Sequence, residues 1–220
     1  MNALVPTMRS IDVDRIGKVQ SKTGPKYLAH WVLKSAQREK LVPWYEKVLG
    51  MELVFENRML TFLTYDQEHH RLAIISLPKI ALPMVVLSRI YRKFYGLDHI
   101  AFNFGSLRDL LFKYRSLKQQ GIKPVWCINH GPTTSIYYED PDGNRLEFQS
   151  DNFDTAEQLQ NFALSLDFSK NPIGVNFDAD LLWEKLESGV PAADLRKRGS
   201  GTHPGKKDVG GLRAITWRTL

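Results

Sequence analysis

The sequence predicts an α+β fold of two βαβββ modules that form a curved mixed sheet around one central site, followed by a helical C-terminal extension. Three observations predict it. The element order β-α-β-β-β occurs twice, the first strand of each copy carries a histidine at the matching place (His30 and His99), and the last strands share an Arg-Leu pair, HRLA in one copy and NRLE in the other. The modules cover 26–80 and 94–150, with residues 1–25 as a leader and 151–220 as the extension and its basic tail.

The leader is polar and punctuated by Gly and Pro (SKTGPK), which predicts weak structure. YLAHWVL, residues 27–33, is a short apolar run bounded by polar residues and predicts a mostly buried strand. SAQREKLVPWYEKVLG spaces Leu41, Trp44, Tyr45 and Val48 for a helix that stops at Gly50, with Pro43 in its first turn. MELVFENR, MLTFLTYD and HHRLAIISLP then read as three strands, and residues 80–95 as a connector. LDHIAFNF restarts the pattern, SLRDLLFKYRSLKQQG supplies a helix closed by Gly121, and IKPVWCIN, TTSIYYED and NRLEFQSD supply strands separated by HGP and PDG turns. TAEQLQNFALSL and the segment around DADLLWEKL predict helices, with Phe162, Phe168 and Trp183 packing on the body.

Composition limits the functional classes. At 220 residues, 43% hydrophobic and 25% charged, the chain can bury a core and is neither disordered nor fibrous. Its one cysteine, Cys127, makes no internal bridge, and residues 1–17 hold no apolar run of signal-peptide length, which predicts a reducing, cytoplasmic setting. No apolar run approaches a membrane span. The net charge of +6 owes part of its excess to RKRGSGTHPGKK, read as a solvated tail; no groove-reading motif accompanies it, so nucleic acid is not an expected partner. A homo-oligomer suits a two-module chain, although no interface is readable.

The six histidines carry more information than the charge. If the repeat places His30 and His99 opposite one another, the last strand of the second copy offers Glu147 as a third ligand, while the equivalent place in the first copy is Ala73, which cannot ligate. Two imidazoles and one carboxylate with open positions point to non-haem Fe(II) oxygen chemistry, and Zn or Mn(II) would also bind such a set. The plainer reading makes each histidine a satisfied core residue and turns Glu147 to solvent by strand alternation.

At these residues a family likeness emerges. LAHWVLKS, WYEKVLGMELVFE, EHHRLAI, GLDHIAFNF and HGPTTSIYYEDPDGNRLEF together resemble the vicinal oxygen chelate superfamily and, within it, the extradiol ring-cleaving dioxygenases, over about residues 26–150. The resemblance implies paired βαβββ modules, Fe(II) held by His30, His99 and Glu147, and a catechol-type substrate cleaved with O2. It also implies catalytic roles for His70, the better match of the His69–His70 pair, and for His130 and Tyr137, which would hydrogen-bond the substrate oxygens. The gap from His130 to Tyr137 is two residues shorter than in two-domain relatives, and Tyr138 replaces Tyr137 if the register slips. Without the resemblance, His69–His70 is an exposed turn, HGP a hairpin loop and Tyr137 a core aromatic.

The connector and Trp31, Phe102, Phe104 and Trp126 are expected to line an apolar pocket for a bicyclic or substituted catechol. Two other functions fit the same modules: a glyoxalase-like isomerase or thiol transferase, and a metal-free ligand-sequestering protein. Ala73 in place of a fourth ligand counts against the first, and the three retained ligands against the second.

Overall fold

The computed structural model describes residues 25–219, so the expected leader lies outside the described residues except for Pro25. Both modules take the topology that the repeat requires. In the first, β1 (Trp31–Ser35) is followed by α1 (Arg38–Leu49), β2 (Glu52–Glu56), β3 (Leu60–Thr64) and β4 (Leu72–Ser76). In the second, β5 (His99–Asn103) is followed by α3 (Leu107–Gln119), β6 (Trp126–Asn129), β7 (Thr133–Glu139) and β8 (Arg145–Asp151). The β content divides into two mixed sheets, one per module, ordered β1-β4-β3-β2 and β5-β8-β7-β6-β9. In each, the first strand lies parallel to the last and the remaining pairs are antiparallel.

Helix α1 buries Leu41, Tyr45 and Val48, one face at helical spacing, and ends at Gly50 in the left-handed conformation (φ 66°) that glycine adopts without strain. Pro43 was expected in its first turn but lies inside the helix; that buried face holds the helix through the missing N–H. Helix α3 opens with Ser106 accepting a hydrogen bond from the Asp109 amide at 3.1 Å and buries Leu107, Leu110, Leu111, Tyr114 and Leu117. Both helical faces join one core with Leu72, Ile74, Leu146 and Phe148.

The connector is more ordered than a linker. A 3-10 turn (Lys79–Ala81) precedes α2 (Met84–Arg92), whose Arg89 and Arg92 donate to the Pro141 and Asp142 carbonyls at 2.8 and 3.0 Å. The strand expected from His69 begins only at Leu72, and His30 sits just before β1.

The extension folds back onto the second module. It comprises α4 (Ala156–Ala163), α5 (Leu166–Lys170), β9 (Val175–Asn176), α6 (Ala179–Glu187), α7 (Ala192–Leu195) and a 3-10 turn at Gly211–Ala214. Strand β9, absent from the sequence reading because two residues leave no periodicity, pairs with β6. Phe162 contacts Phe153 and Phe168, and Trp183 lies 6.4 Å from Phe112. The tail is not merely solvated: Arg196 pairs with Asp154, Arg198 lies over the Phe162 ring and donates to the His130 carbonyl, and Ala214 is fully buried. Among the described residues no helix is long and apolar enough to cross a membrane.

Gly174 shows how closely the extension fits. Its φ is +119°, and a Cβ there would collide with the backbone of Asn129 and His130. Gly174→Ala should therefore cost at least ~1–3 kcal/mol from the strained backbone, before the collision is counted. Thermal unfolding checks this, and an unchanged midpoint would show that the extension is not docked at this point.

Candidate active site

Alternation along the second sheet turns His99, Glu147 and Tyr137 to one face. Tyr137 on β7 is the direct cross-strand partner of Glu147 on β8, and His99 opens the neighbouring β5. Tyr138 points the other way, into the core beside Phe148, so the register keeps Tyr137 at the site.

His99 Nε2 lies 2.9 Å from Glu147 Oε2, and its Nδ1 lies 2.6 Å from Asp98 Oδ2. Hydrogen bonds to Asp98 and then to Glu147 raise the His99 pKa to about 9. Burial pushes the Glu147 carboxyl upward, but hydrogen bonding from His99 first, and then Ser135, outweighs it and holds the group below its ordinary value. Arg145, itself buried, adds positive charge 3.8 Å from Asp98.

His130 completes the cluster. Its Nε2 lies 3.0 Å from the Tyr137 hydroxyl and 4.0 Å from Glu147 Oε1, and its Nδ1 lies 2.5 Å from the Ile173 carbonyl. A carbonyl only accepts, so Nδ1 carries the proton and Nε2 of the neutral ring is left as an acceptor for the Tyr137 O–H. Burial lowers the His130 pKa and favours that neutral form, while burial and then the Glu147 charge raise that of Tyr137. Trp126 stacks on the Tyr137 ring at 5.2 Å.

The first module presents a separate group. The His30 and His70 rings lie 4.5 Å apart, and Phe62 stacks on His70 at 4.3 Å with an interplanar angle of 9°. Burial and then the nearby His30 charge lower the His70 pKa. Of the six residues expected at the site, the fold thus gathers His99, Glu147, His130 and Tyr137 in one place and His30 with His70 in another. Among the described residues no three His, Cys, Asp or Glu side chains come together where they could hold a metal ion.

A cleft of about 150 Å³ opens beside His99, lined by Trp31, Tyr95, Leu97, Ile100, Arg92 and Arg145 among others. Of the aromatics expected around a pocket, Trp31 lines this cleft, whereas Phe102 and Phe104 point into the core against Phe148 and Trp126 packs on Tyr137. The sequence reading missed Asp98, Ser135, Arg145 and the Ile173 carbonyl. Asp98 and Arg145 adjoin recognised motifs, and Ser135 shares the face of Tyr137 by alternation; the Ile173 carbonyl left no signal.

Residues 27–148 match the family model of the Glyoxalase/Bleomycin resistance protein/Dioxygenase superfamily. The chain belongs to that superfamily. Within it, the chain is an extradiol ring-cleaving dioxygenase, as its relatives indicate. It is 41% identical over 171 residues to biphenyl-2,3-diol 1,2-dioxygenase 3 of Rhodococcus globerulus, a match that covers 78% of this chain and 87% of that protein. It is also 41% identical over 167 residues to biphenyl-2,3-diol 1,2-dioxygenase 2 of the same organism, covering 76% and 84%. Among solved structures, the lactoylglutathione lyase of Agrobacterium tumefaciens is similar with a TM-score of 0.43 and 15% identity, over 57% of this chain and 94% of that one.

Proposed function

We propose that this dioxygenase uses Fe(II), held by His30, His99 and Glu147, to open the ring of a catechol-type diol, bicyclic or substituted, with O2. The observation that carries the reading is the cluster of His99, Glu147, Tyr137 and His130 on one sheet face of a chain whose relatives are named for a biphenyl diol.

The donor chemistry fits a divalent ion in part. A separation of 2.9 Å between His99 Nε2 and Glu147 Oε2 is what two donors make in adjacent positions on a metal ~2.1 Å from each. His30 is the third donor by its place in the repeat. Bound there, Fe(II) would orient the diol and O2 and pass electrons between them.

The chain's own residues do the rest. His130, neutral and with Nε2 free to accept, takes a proton relayed through the Tyr137 hydroxyl as the diol is deprotonated. Tyr137 then holds the substrate oxygen by hydrogen bond. His70 supplies a proton later in the cycle, and stacking on Phe62 keeps its ring in one plane. The cleft beside His99 has about the volume that accepts one aromatic ring, and Trp31, Tyr95 and Leu97 give it apolar walls.

The test is anaerobic loading with Fe(II), then 2,3-dihydroxybiphenyl and a catechol panel with O2 uptake and the yellow ring-opened product recorded. Iron-dependent uptake with ring opening supports the reading; thiol-dependent isomerisation with Ni(II) or Zn(II), or tight diol binding without turnover, overturns it. Removing the iron with a chelator should abolish uptake, and Fe(II) should restore it. His70→Phe should retain iron and lose turnover by about 10²–10⁴-fold, the range for a general acid or base; full activity would remove His70 from the mechanism.

A further inference from the structure

Beside the cluster of His99, Glu147, Tyr137 and His130 stands a buried cation that the proposed chemistry does not use. Arg145 is the direct cross-strand partner of both His99 and Glu139, and it precedes Glu147 by two residues on the same face of β8. Its side chain is 6% exposed, and a guanidinium so deeply buried is costly unless its donors are met. Nη1 donates to the Thr219 carbonyl at 2.7 Å and Nη2 to Glu139 Oε1 at 3.3 Å. The Nε–H, shut off from solvent, has no partner among the described residues.

Three more cations surround it. Arg89, Arg92 and Lys93 line a recess of about 160 Å³ with Arg145, and Asp98 and Glu139 are the carboxylates there. Both carboxylates are engaged, Asp98 with His99 at 2.6 Å and Glu139 with Arg145. The other cations are held by neutral groups: Arg89 by the Pro141 carbonyl at 2.8 Å, Arg92 by the Asp142 carbonyl at 3.0 Å and Lys93 by the Trp217 carbonyl at 2.8 Å. Among the described residues the ion pairs of this recess all run through Arg145 or His99, so carbonyl hydrogen bonds fix Arg89, Arg92 and Lys93 in place without neutralising them. Arg92, Asp98 and Arg145 also line the apolar cleft beside His99, so recess and cleft adjoin. Two residues along a strand span ~7 Å, which separates Arg145 from Glu147 by a distance that an aromatic ring and a short side chain bridge.

We propose that this recess binds a carboxylate carried on the side chain of the diol, so that the site takes catechols with an acidic substituent: the ring fills the cleft beside His99, and Arg92, Lys93 and Arg145 receive the carboxylate. The inference rests on the Fe(II) dioxygenase reading and names the substrate class for it. The Nε–H of Arg145 is a donor that no other group uses, and Arg92 and Lys93 bring charge that no other group balances. Hydrogen bonds between ionised partners are about twice as strong as neutral ones. A neutral substituent of the same shape gains none of this and leaves the donors unmatched, which is how a polar pocket discriminates between near-isosteric substrates.

A matched pair of diols tests this. 3-(2,3-Dihydroxyphenyl)propionate and 3-propylcatechol share the ring and the length of the side chain and differ in the carboxylate. With the Fe(II)-loaded wild type, kcat/KM should favour the acid by about 10–100-fold at low ionic strength, the range for hydrogen bonds to a charged group, and the preference should shrink as sodium chloride is raised. Anaerobic binding of the two diols, in which no turnover occurs, should show the same preference. Arg92→Gln should cut the ratio by about tenfold or more with iron content unchanged, and Arg92→Lys, which keeps the charge, should retain most of it. Lys93→Gln serves as a second variant should Arg92→Gln fail to fold. A wild type that handles both diols equally, or prefers the propyl compound, overturns the carboxylate recess and leaves the dioxygenase reading standing. A preference for the acid that both glutamine variants retain does the same. Turnover of 3-propylcatechol that responds to inorganic phosphate, with a ratio near one, assigns the recess to a free anion and overturns its assignment to the substrate. A wild type without iron or ring cleavage on either diol overturns the functional reading and the substrate class with it.

Discussion

Replacing Glu147 with alanine should leave a folded protein that no longer retains iron and cleaves the diol at least ~10³-fold more slowly. A metal acting on charge in the transition state supplies several kcal/mol, and each 1.36 kcal/mol is tenfold in rate, which sets that scale. Folding should survive because the groups around the carboxylate keep other partners. His99 retains Asp98 at 2.6 Å and Tyr137 retains His130 at 3.0 Å. Iron content, O2 uptake and circular dichroism on one preparation check the three parts together. A Glu147→Ala protein that still holds iron and consumes O2 would show that this carboxylate is not a ligand.

Asp140→Ala should be the most destabilising of the polar substitutions, at about 3–5 kcal/mol, because it breaks a buried charged group's contacts on both modules. Asp140 is 2% exposed. Its Oδ1 accepts the Asp142 and Asn144 amides at 2.9 and 2.7 Å, and its Oδ2 accepts Tyr45 O–H and Asn144 Nδ2 at 3.0 and 2.7 Å. Removing the carboxylate leaves the fully buried Tyr45 hydroxyl without its acceptor and frees the turn that leads into β8. A loss of that size corresponds to a fall of roughly 6–20 °C in Tm for a chain of this length. Thermal and urea unfolding measure it. A double-mutant cycle with Tyr45→Phe isolates the contact between modules, and no coupling between the two substitutions would show that Tyr45 and Asp140 do not hold the modules together.

The DPDG turn illustrates the limit of reading this chain residue by residue. Pro and Gly at 141–143 predict a turn from local chemistry, and a turn is there. That Asp140 also anchors Tyr45, with Gln37 and Arg89 meeting the next peptide carbonyl, depends on contacts 52 to 104 residues apart, for which no local pattern exists. The connector is a similar case: Pro83 and the β-branched Val85 and Val86 weaken the helical signal, and α2 is held through Arg89 and Arg92 against that same turn.

The extension marks the other boundary. Its helices α4 and α6 were readable from their caps and apolar spacing, with Thr155 and Asp178 accepting the first amides. Its hold on the site was not, because the Ile173 carbonyl that orients His130 is a backbone atom common to every residue type. Likewise the tail's cations found partners in Asp154, Asp167 and the Phe162 ring, where composition alone suggested solvent.

By itself the amino-acid sequence determined the duplication and the element order within each module, because strand and helix periodicity are local and the copies repeat them. Only the tertiary structure decided that the β content forms two sheets, that an ion-paired His99 and Glu147 lie apart from His30 and His70, and that the extension supports His130. Those arrangements follow from how two modules share one core, and that packing is settled between residues far apart in the chain.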